Sequence, residues 1–288
     1  MKLRTTLTAA LAAGALLVAG CGDDDGDAVR TTGDSADIAA LRAAPDAFEE
    51  AGSGRMSYQM RVSGDGMSIE MGGEGAFSGD RMIMEIDLGS MGQALGPGAG
   101  DFTATVIVDG GTTYMKMPAL ADVYGDGWLS FSAEDFAEVS DLGVDPAAQD
   151  PRYMMESLRG IAEEIEEEGT DAVRGVDTTV YRVVVDLEKA AEAMPEDMRE
   201  SYLAEMESLG IPSAMPMRVW LGDDGLVYRF SMDMTEMEGF TDGTDVPDDL
   251  EAEMVMEFFD YGADVDIEVP DPAEVTPFVE VMGGAYGG

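Results

Sequence analysis

The chain has 288 residues, of which 45% are hydrophobic, and it carries 60 Asp and Glu against 16 Lys and Arg, a formal net charge of -44. Such a negative field repels nucleic acid and anionic lipid headgroups, and the apolar content is too high for a disordered acidic tail. Histidine is absent and cysteine occurs once, which excludes Ser-His-Asp and Cys-His nucleophilic sites and His/Cys zinc sites. We therefore expect no enzyme, no cofactor and no nucleic-acid partner.

The first predicted element is a secretory signal over residues 1–20. Two basic residues precede an apolar run over 7–19, which is shorter than the roughly 20 apolar residues needed to span a bilayer. Val18-Ala19-Gly20-Cys21 resembles the lipobox of bacterial lipoprotein precursors, in which the cysteine thiol receives a diacylglyceryl group and the new amine can be acylated. Two or more acyl chains anchor a protein stably. The resemblance implies a mature chain that begins at Cys21 and is lipid-anchored to the cell membrane on its extracytoplasmic side.

The next two predicted elements are a tether and a helix. Residues 21–34 contain the lipidated cysteine and a Gly- and Asp-rich stretch that is typical of a flexible acidic tether. Residues 35–52 predict a short helix with apolar residues on one side and a potential break at Pro45.

From residue 56 the hydrophobic period changes to two, which predicts β-strands. Met56, Tyr58 and Met60 alternate with polar residues, and Gly and Asp turns separate similar runs further along. An antiparallel meander of this kind forms a sheet with one apolar and one solvated face. Residues 89–100 are rich in glycine and are expected to form a mobile loop, a candidate flap. The predicted strands are 56–63, 67–71, 75–78, 82–88, 102–108, 112–117 and 128–131.

Three helices are predicted in the middle of the chain, at 133–139, 151–168 and 196–209. The second has Pro151 at its first position and an apolar stripe at helical spacing, and Gly169 is expected to end it. Its stripe comprises Met154, Met155, Leu158, Ile161 and Ile165, and its glutamates, Glu163, Glu164, Glu166, Glu167 and Glu168, are expected to form a solvated face.

Further strands are predicted at 171–175, 178–186, 217–221, 226–234, 254–258 and 265–269, with a hairpin turn at Asp223-Asp224-Gly225. Residues 279–288 are expected to be a flexible tail. The chain shows no solenoid repeat and no second linker, so a single domain is expected over 35–278.

The 23 methionines allow three interpretations, because several form M-x-M pairs on one face of a strand. A copper(I) site is one, since soft thioethers select that ion. The spread of the pairs along the chain and the lack of histidine or a spare cysteine argue against it, and we expect no metal. An apolar core is the second. The third is the lining of a cavity, because flexible methionine accepts ligands of variable shape.

Two segments indicate a family. Residues 169–181 have the pattern G-x-x-x-x-x-G-x-x-T-x-x-Y, and residues 216–229 form a proline-led V-W-L hairpin. Gly-Asp-Gly-Trp128 after the Tyr114 strand adds to them. Over roughly 36–275 the chain resembles the mycobacterial LppX, LprG, LprA and LprF lipoproteins and, more distantly, the LolA and LolB carriers. The resemblance implies an α+β fold in which one strongly curved antiparallel sheet, a half-open barrel, has helices over its concave face and encloses an apolar cavity.

The resemblance implies binding of a lipid or glycolipid by its acyl chains, for transport or handling within the cell envelope, with a membrane transporter or acceptor protein as a further partner. It implies no catalytic residues. One alternative is a non-catalytic surface or signalling lipoprotein that uses the curved sheet as an interaction platform. Another is hydrolysis of envelope sugars by two carboxylates about 5 to 9.5 Å apart. The residues expected to line the ligand are Met56, Tyr58, Met60, Met82, Met84, Ile86, Met154, Leu158, Ile161, Met217, Val219, Phe230, Met232, Met254 and Met256.

Overall fold

A single sheet of twelve strands dominates the described chain. The computed structural model describes residues 35–65, 67–89, 102–132, 151–191, 199, 214–236 and 249–281. The strands are β1 (Ser53–Gly64), β2 (Met67–Ser78), β3 (Arg81–Asp87), β4 (Thr103–Asp109), β5 (Thr112–Lys116), β6 (Trp128–Ser132), β7 (Ile161–Val173), β8 (Val176–Asp186), β9 (Ala214–Gly222), β10 (Val227–Asp233), β11 (Glu251–Phe259) and β12 (Val275–Pro277).

The strand order is β12-β6-β5-β4-β3-β2-β1-β11-β10-β9-β8-β7. Neighbouring strands are antiparallel, except that β12 pairs in parallel with β6. Within the described residues β12 and β7 are the two ends of the sheet and do not pair with each other, so the sheet is not closed. The predicted α+β class with one large, mostly antiparallel, open sheet is confirmed.

The helices are α1 (Ser35–Ala51), α2 (Ala121–Tyr124), α3 (Pro151–Ser157) and α4 (Leu187–Ala191), with 3₁₀ turns at Pro118–Leu120, Leu158–Gly160, Met234–Glu236 and Pro272–Glu274. The helix α1 has nearly the predicted bounds and continues through Pro45, which is fully buried. No helix in the described part of the chain is long and apolar enough to cross a membrane.

The helix α1 packs on one face of the sheet, which we call the inner face. Leu41, Ala44 and Phe48 are buried in one apolar cluster with residues of β1 to β4 and β7 to β11. Two polar contacts fix the helix: Arg159 in the 3₁₀ turn after α3 pairs with Asp46 at 2.8 Å, and the Tyr181 hydroxyl donates to Asp37 Oδ1 at 3.3 Å. The packing of α1 therefore links strands that lie far apart in the sheet.

The predicted helix over 151–168 is wrong beyond its first two turns. The helix α3 ends at Ser157, and the backbone from Ile161 onward pairs as β7 with β8. The hairpin closes at Arg174 and Gly175, which both have positive φ values of 50° and 88° and suit a two-residue turn. Gly169, with φ +122°, lies at a shift of the β7–β8 register instead of ending a helix. A stripe at helical spacing thus spans a short helix and the start of a strand.

The glutamates of β7 lie at the edge of the sheet. Glu166, Glu167 and Glu168 are exposed, and β7 is the last strand in the order. Charged side chains on an edge strand oppose pairing with a second chain. Glu168 also pairs with Arg218 on β9 at 2.8 Å. The acidic run therefore protects an edge.

One predicted strand is not formed, and several other predicted segments lie outside the described residues. Residues 263–270, which include the predicted strand 265–269, have no regular secondary structure, although Ile267 is buried and its carbonyl accepts a hydrogen bond from Arg81 at 3.5 Å. The predicted helix 133–139, almost all of the helix 196–209 and the glycine-rich loop from residue 90 lie outside the described residues, as does the tail after residue 281.

Two glycines of β2 allow a very close approach to β3. A Cβ atom on Gly73 would lie 2.4 Å from the carbonyl oxygen of Glu85, and one on Gly75 would lie 2.4 Å from that of Ile83. Glycine inside a strand marks sites where another backbone approaches closely or the sheet bends tightly. The β2–β3 pairing therefore depends on the absence of side chains at these positions.

We expect Gly73→Ala to lower the free energy of unfolding by about 1 to 3 kcal/mol, since the methyl group would displace the β3 backbone. Gly72→Ala is the matched control, because its methyl group would lie 3.4 Å from the Tyr58 carbonyl oxygen, an acceptable contact. Chemical denaturation of both variants measures the difference. Equal stability of the two variants would show that the close approach imposes no constraint.

Candidate functional site

The inner face is closed by aromatic side chains near the end of α1. The rings of Phe48 and Phe77 stack with centroids 4.6 Å apart, and Phe258 meets both edge to face at 5.9 and 6.4 Å. Tyr261 packs against the same group, and its hydroxyl donates to the Val227 carbonyl. Burial raises the pKa of Tyr261 well above its usual value. This part of the face is filled by the protein's own side chains.

A row of four methionines crosses the inner face further along the strands. We call Met71, Met60, Met254 and Met232 the methionine row; they lie on the neighbouring strands β2, β1, β11 and β10. Met60 is directly opposite both Met71 and Met254, and Met254 is also opposite Met232. Opposed side chains of antiparallel strands have Cβ atoms about 4.5–5.5 Å apart. The four methionines therefore occupy adjacent positions in one line across the strands.

The methionine row is half-buried, whereas on β10 and β11 the residues two positions nearer the aromatic core are buried. All four members are partly exposed, whereas Met256 and Phe230 are 2% exposed. Alternation places each pair, Met254 with Met256 and Met232 with Phe230, on one face of its strand. The inner face thus changes from a closed core to a partly open apolar strip at the row.

Two inner-face tyrosines make hydrogen bonds, and one of them, Tyr58, contacts the methionine row. The Tyr58 hydroxyl donates to the sulfur of Met60 at 3.2 Å, and burial raises the pKa of Tyr58. Burial, followed by the neighbouring carboxylate of Asp37, raises the pKa of Tyr181 to about 12. Both phenols are therefore neutral hydrogen-bond donors at physiological pH.

The predicted ligand-lining residues divide into two groups. Eight are buried in the core: Met56, Met82, Met84, Leu158, Met217, Val219, Phe230 and Met256. Six are half-buried on the inner face: Tyr58, Met60, Ile86, Met154, Met232 and Met254. The side chain of Ile161 and the whole of Cys21 lie outside the described residues. Half-buried inner-face residues absent from the predicted set include Ile38, Met71, Met115 and Met215. The three methionines continue a strand alternation, which was the available signal.

The outer face carries charges instead. Glu257 accepts hydrogen bonds from Arg229 at 2.7 Å and Arg174 at 2.8 Å, and Arg174 also donates to Ser57 at 3.1 Å. Burial of Glu257 opposes its ionisation, but the two guanidinium groups outweigh this and hold its pKa below the usual range. The network ties the tip of the β7–β8 hairpin to the centre of the sheet.

A small second core lies beside this network. Val173, Val180 and Trp220 are buried together with Tyr228 against them. The Trp220 indole donates to Asp171 at 3.0 Å, and Arg229 pairs with the same carboxylate at 3.4 Å. Hydrogen bonds from the Ala172 backbone and from Trp220 lower the pKa of Asp171. The polar groups of Asp171, Trp220 and Arg229 thus bind one another beside this small core.

The described residues contain no group of three or more His, Cys, Asp or Glu side chains placed to hold a metal ion. Acidic side chains therefore supply no conventional metal site in this part of the chain.

No family model and no curated protein matches the chain. It is similar in structure to the lipoprotein LppX of Mycobacterium tuberculosis, with 15% identity and a TM-score of 0.43 over 82% of this chain and 100% of LppX. LprF from Mycobacterium bovis has 13% sequence identity and a TM-score of 0.42, over 81% of this chain and 96% of LprF. A LolA superfamily protein from Nitrosomonas europaea has 10% sequence identity and a TM-score of 0.28, over 83% of this chain and 96% of that protein. The predicted resemblance to LppX- and LprF-type lipoproteins is confirmed at the level of structure.

We expect Glu257→Gln to destabilise the protein at neutral pH by about 1 kcal/mol, a value reduced for the partial exposure of its partners. Because the folded-state pKa of Glu257 is depressed, its contribution is present above the unfolded pKa of about 4.3 and is lost as pH falls through the folded value. The difference between wild type and variant, measured by denaturation, should shrink from pH 7 to pH 3. The exposed Glu85→Gln is the control, and a difference independent of pH would contradict this account.

Proposed function

We propose that the protein is a membrane-anchored lipoprotein that binds a lipid or glycolipid by its acyl chains at the methionine row. The observation that carries this proposal is the contrast along the inner face, where a filled aromatic core gives way to four adjacent, half-buried methionines. Partly exposed apolar surface gains about 0.8 kcal/mol for each methylene that it helps to remove from water. An acyl chain is therefore a suitable occupant.

The chemistry of the row suits a ligand of variable shape. Methionine is unbranched and polarizable, and it adapts to irregular apolar partners better than β-branched residues do. The row is apolar, whereas Glu257 and its partners Arg174 and Arg229 lie on the outer face. We also propose that α1 and α3 cover part of the inner face above the ligand, because Leu41 and Met155 are buried in the same cluster as the strands.

The anchor of the proposed lipoprotein is Cys21, through diacylglyceryl and N-acyl groups. Residues 22–34 would then act as a tether that lets the domain reach a membrane transporter or an acceptor protein on the extracytoplasmic side. This part of the proposal rests on the lipobox sequence Val18-Ala19-Gly20-Cys21. Several acyl chains are needed, because a single one gives only marginal membrane binding.

A charge placed in the row tests the binding site. We expect Met254→Glu to weaken binding of a fluorescent fatty acid such as cis-parinaric acid at least tenfold, because a carboxylate is poorly solvated beside an acyl chain. Val255→Glu adds the same charge to the opposite face of the same strand and should change the affinity less than about twofold. Fluorescence titration of the delipidated protein measures both.

Equal binding by the two variants would contradict the proposed site. Native mass spectrometry of protein purified from its own membrane supplies a second measurement. Absence of any co-purified lipid, together with no binding of the fatty acid by wild type, would favour the alternative of a protein-interaction platform.

Replacement of the anchor tests the localisation. We expect Cys21→Ser to move the protein from the detergent phase to the aqueous phase in Triton X-114 partitioning, since no thiol remains to receive a diacylglyceryl group. The intact mass of wild type should exceed that of the unmodified chain beginning at Cys21 by the acyl groups. Retention of the variant in the detergent phase would contradict lipidation at this residue.

A further inference from the structure

We propose that the methionine row also binds one soft monovalent cation, Cu(I) or Ag(I), through its thioether sulfurs. This inference goes beyond acyl-chain binding and stands on a different property of the same side chains, their sulfur atoms. The proposal rests on the strand register, which places Met71, Met60, Met254 and Met232 opposite one another on four adjacent strands.

The register removes the main objection that the sequence raises against such a site. Along the chain the M-x-M pairs are widely separated, and Met60 lies 194 positions from Met254. In the sheet these two residues are direct partners. Each also has a further methionine on its other side, Met71 for Met60 and Met232 for Met254. A sequence-distant set thus becomes a contiguous group of ligands.

The geometry distinguishes the two central members from the two outer ones. Adjacent strands are about 4.8 Å apart, so only neighbouring side chains of the row can converge on one ion. Any three consecutive members include both Met60 and Met254. A three-thioether site therefore needs the central pair and takes either Met71 or Met232 as its third ligand.

The chemistry selects the kind of ion. Thioethers are soft ligands that favour Cu(I), whereas hard divalent ions prefer oxygen. Histidine is absent from the sequence and the single cysteine is the proposed lipidation site, so only thioethers remain as soft ligands for such an ion. The strongly negative charge of the protein raises the local concentration of cations.

The environment of the row leaves the sulfurs accessible. All four side chains are half-buried, so an ion reaches them without opening the core. The hydrogen bond from Tyr58 to the sulfur of Met60 occupies one of its two lone pairs and leaves the other for an ion.

The test uses the full chain carrying Cys21→Ser, delipidated, so that silver cannot bind a free thiol. Silver nitrate is added in chloride-free buffer, and native mass spectrometry and NMR of 13C-methyl methionine are recorded. We expect one silver ion per chain and shifted methyl signals for the methionine row. Competition with bicinchoninate measures Cu(I) binding under reducing conditions.

Conservative variants identify the ligands. Leucine keeps the apolar volume of methionine but removes its sulfur. We expect Met60→Leu and Met254→Leu to weaken silver binding at least tenfold, and Met71→Leu and Met232→Leu to weaken it less. Met84→Leu, at a buried position on β3, is the control and should leave silver binding unchanged.

The same variants separate this proposal from lipid binding. The leucine variants should lose much more affinity for silver than for cis-parinaric acid, because leucine keeps apolar surface but removes the sulfur. Wild-type silver affinity in both Met60→Leu and Met254→Leu, or methyl shifts confined to methionines outside the row, would overturn the cation site and leave the lipid site untouched.

Discussion

The antiparallel pairing of β1 with β11 is the constraint on which the rest of the structure depends. It joins the meander of the first half of the chain to the strands of the second half, with Met56 opposite Phe258 and Met60 opposite Met254. A shift of one residue would turn every side chain of β1 to the other face. The same register therefore fixes the aromatic core, the methionine row and, on the outer face, the contact of Arg174 with both Ser57 and Glu257.

The two faces of the sheet are stabilised differently, the outer face by shared ion pairs and the inner face by apolar burial. On the outer face single arginines serve more than one acidic group, as Arg218 does with Glu168 and Glu236 and Arg229 does with Asp171 and Glu257. Sharing reduces the local repulsion that a charge of -44 would otherwise produce. The inner face is left to apolar side chains, and its stability comes from burial against α1.

Much of the sheet could be predicted because period-two alternation and glycine or aspartate turns are local signals. They placed β1, β3 to β6 and β8 to β11 within a few residues of the observed bounds. The predicted strand 171–175 covers only the end of β7. The rest of β7 was missed because Met154, Leu158, Ile161 and Ile165 keep helical spacing across a boundary that only the pairing with β8 reveals. The methionine row could not be predicted at all as a contiguous group. Met60 with Met71 and Met254 with Met232 pair across strands that are consecutive in the chain. The central contact of Met60 with Met254 joins residues nearly two hundred positions apart, which no local pattern encodes.

The use of methionine at the row, and not leucine or valine, requires an explanation in either proposed role. Where neighbouring strands are fully packed, β8 presents the β-branched Val183 and Val185, which suit a pleated surface. Methionine also occurs at buried positions such as Met56 and Met84, which face Gly75 across the strands, so flexible side chains fill the space that a missing side chain leaves. The half-buried methionines of the row do not have to fill such a gap, so their side chains are not held in one conformation by packing. A side chain that has several rotamers available can adapt its conformation to an acyl chain. Its sulfur can also bind a soft metal ion, which leucine cannot do.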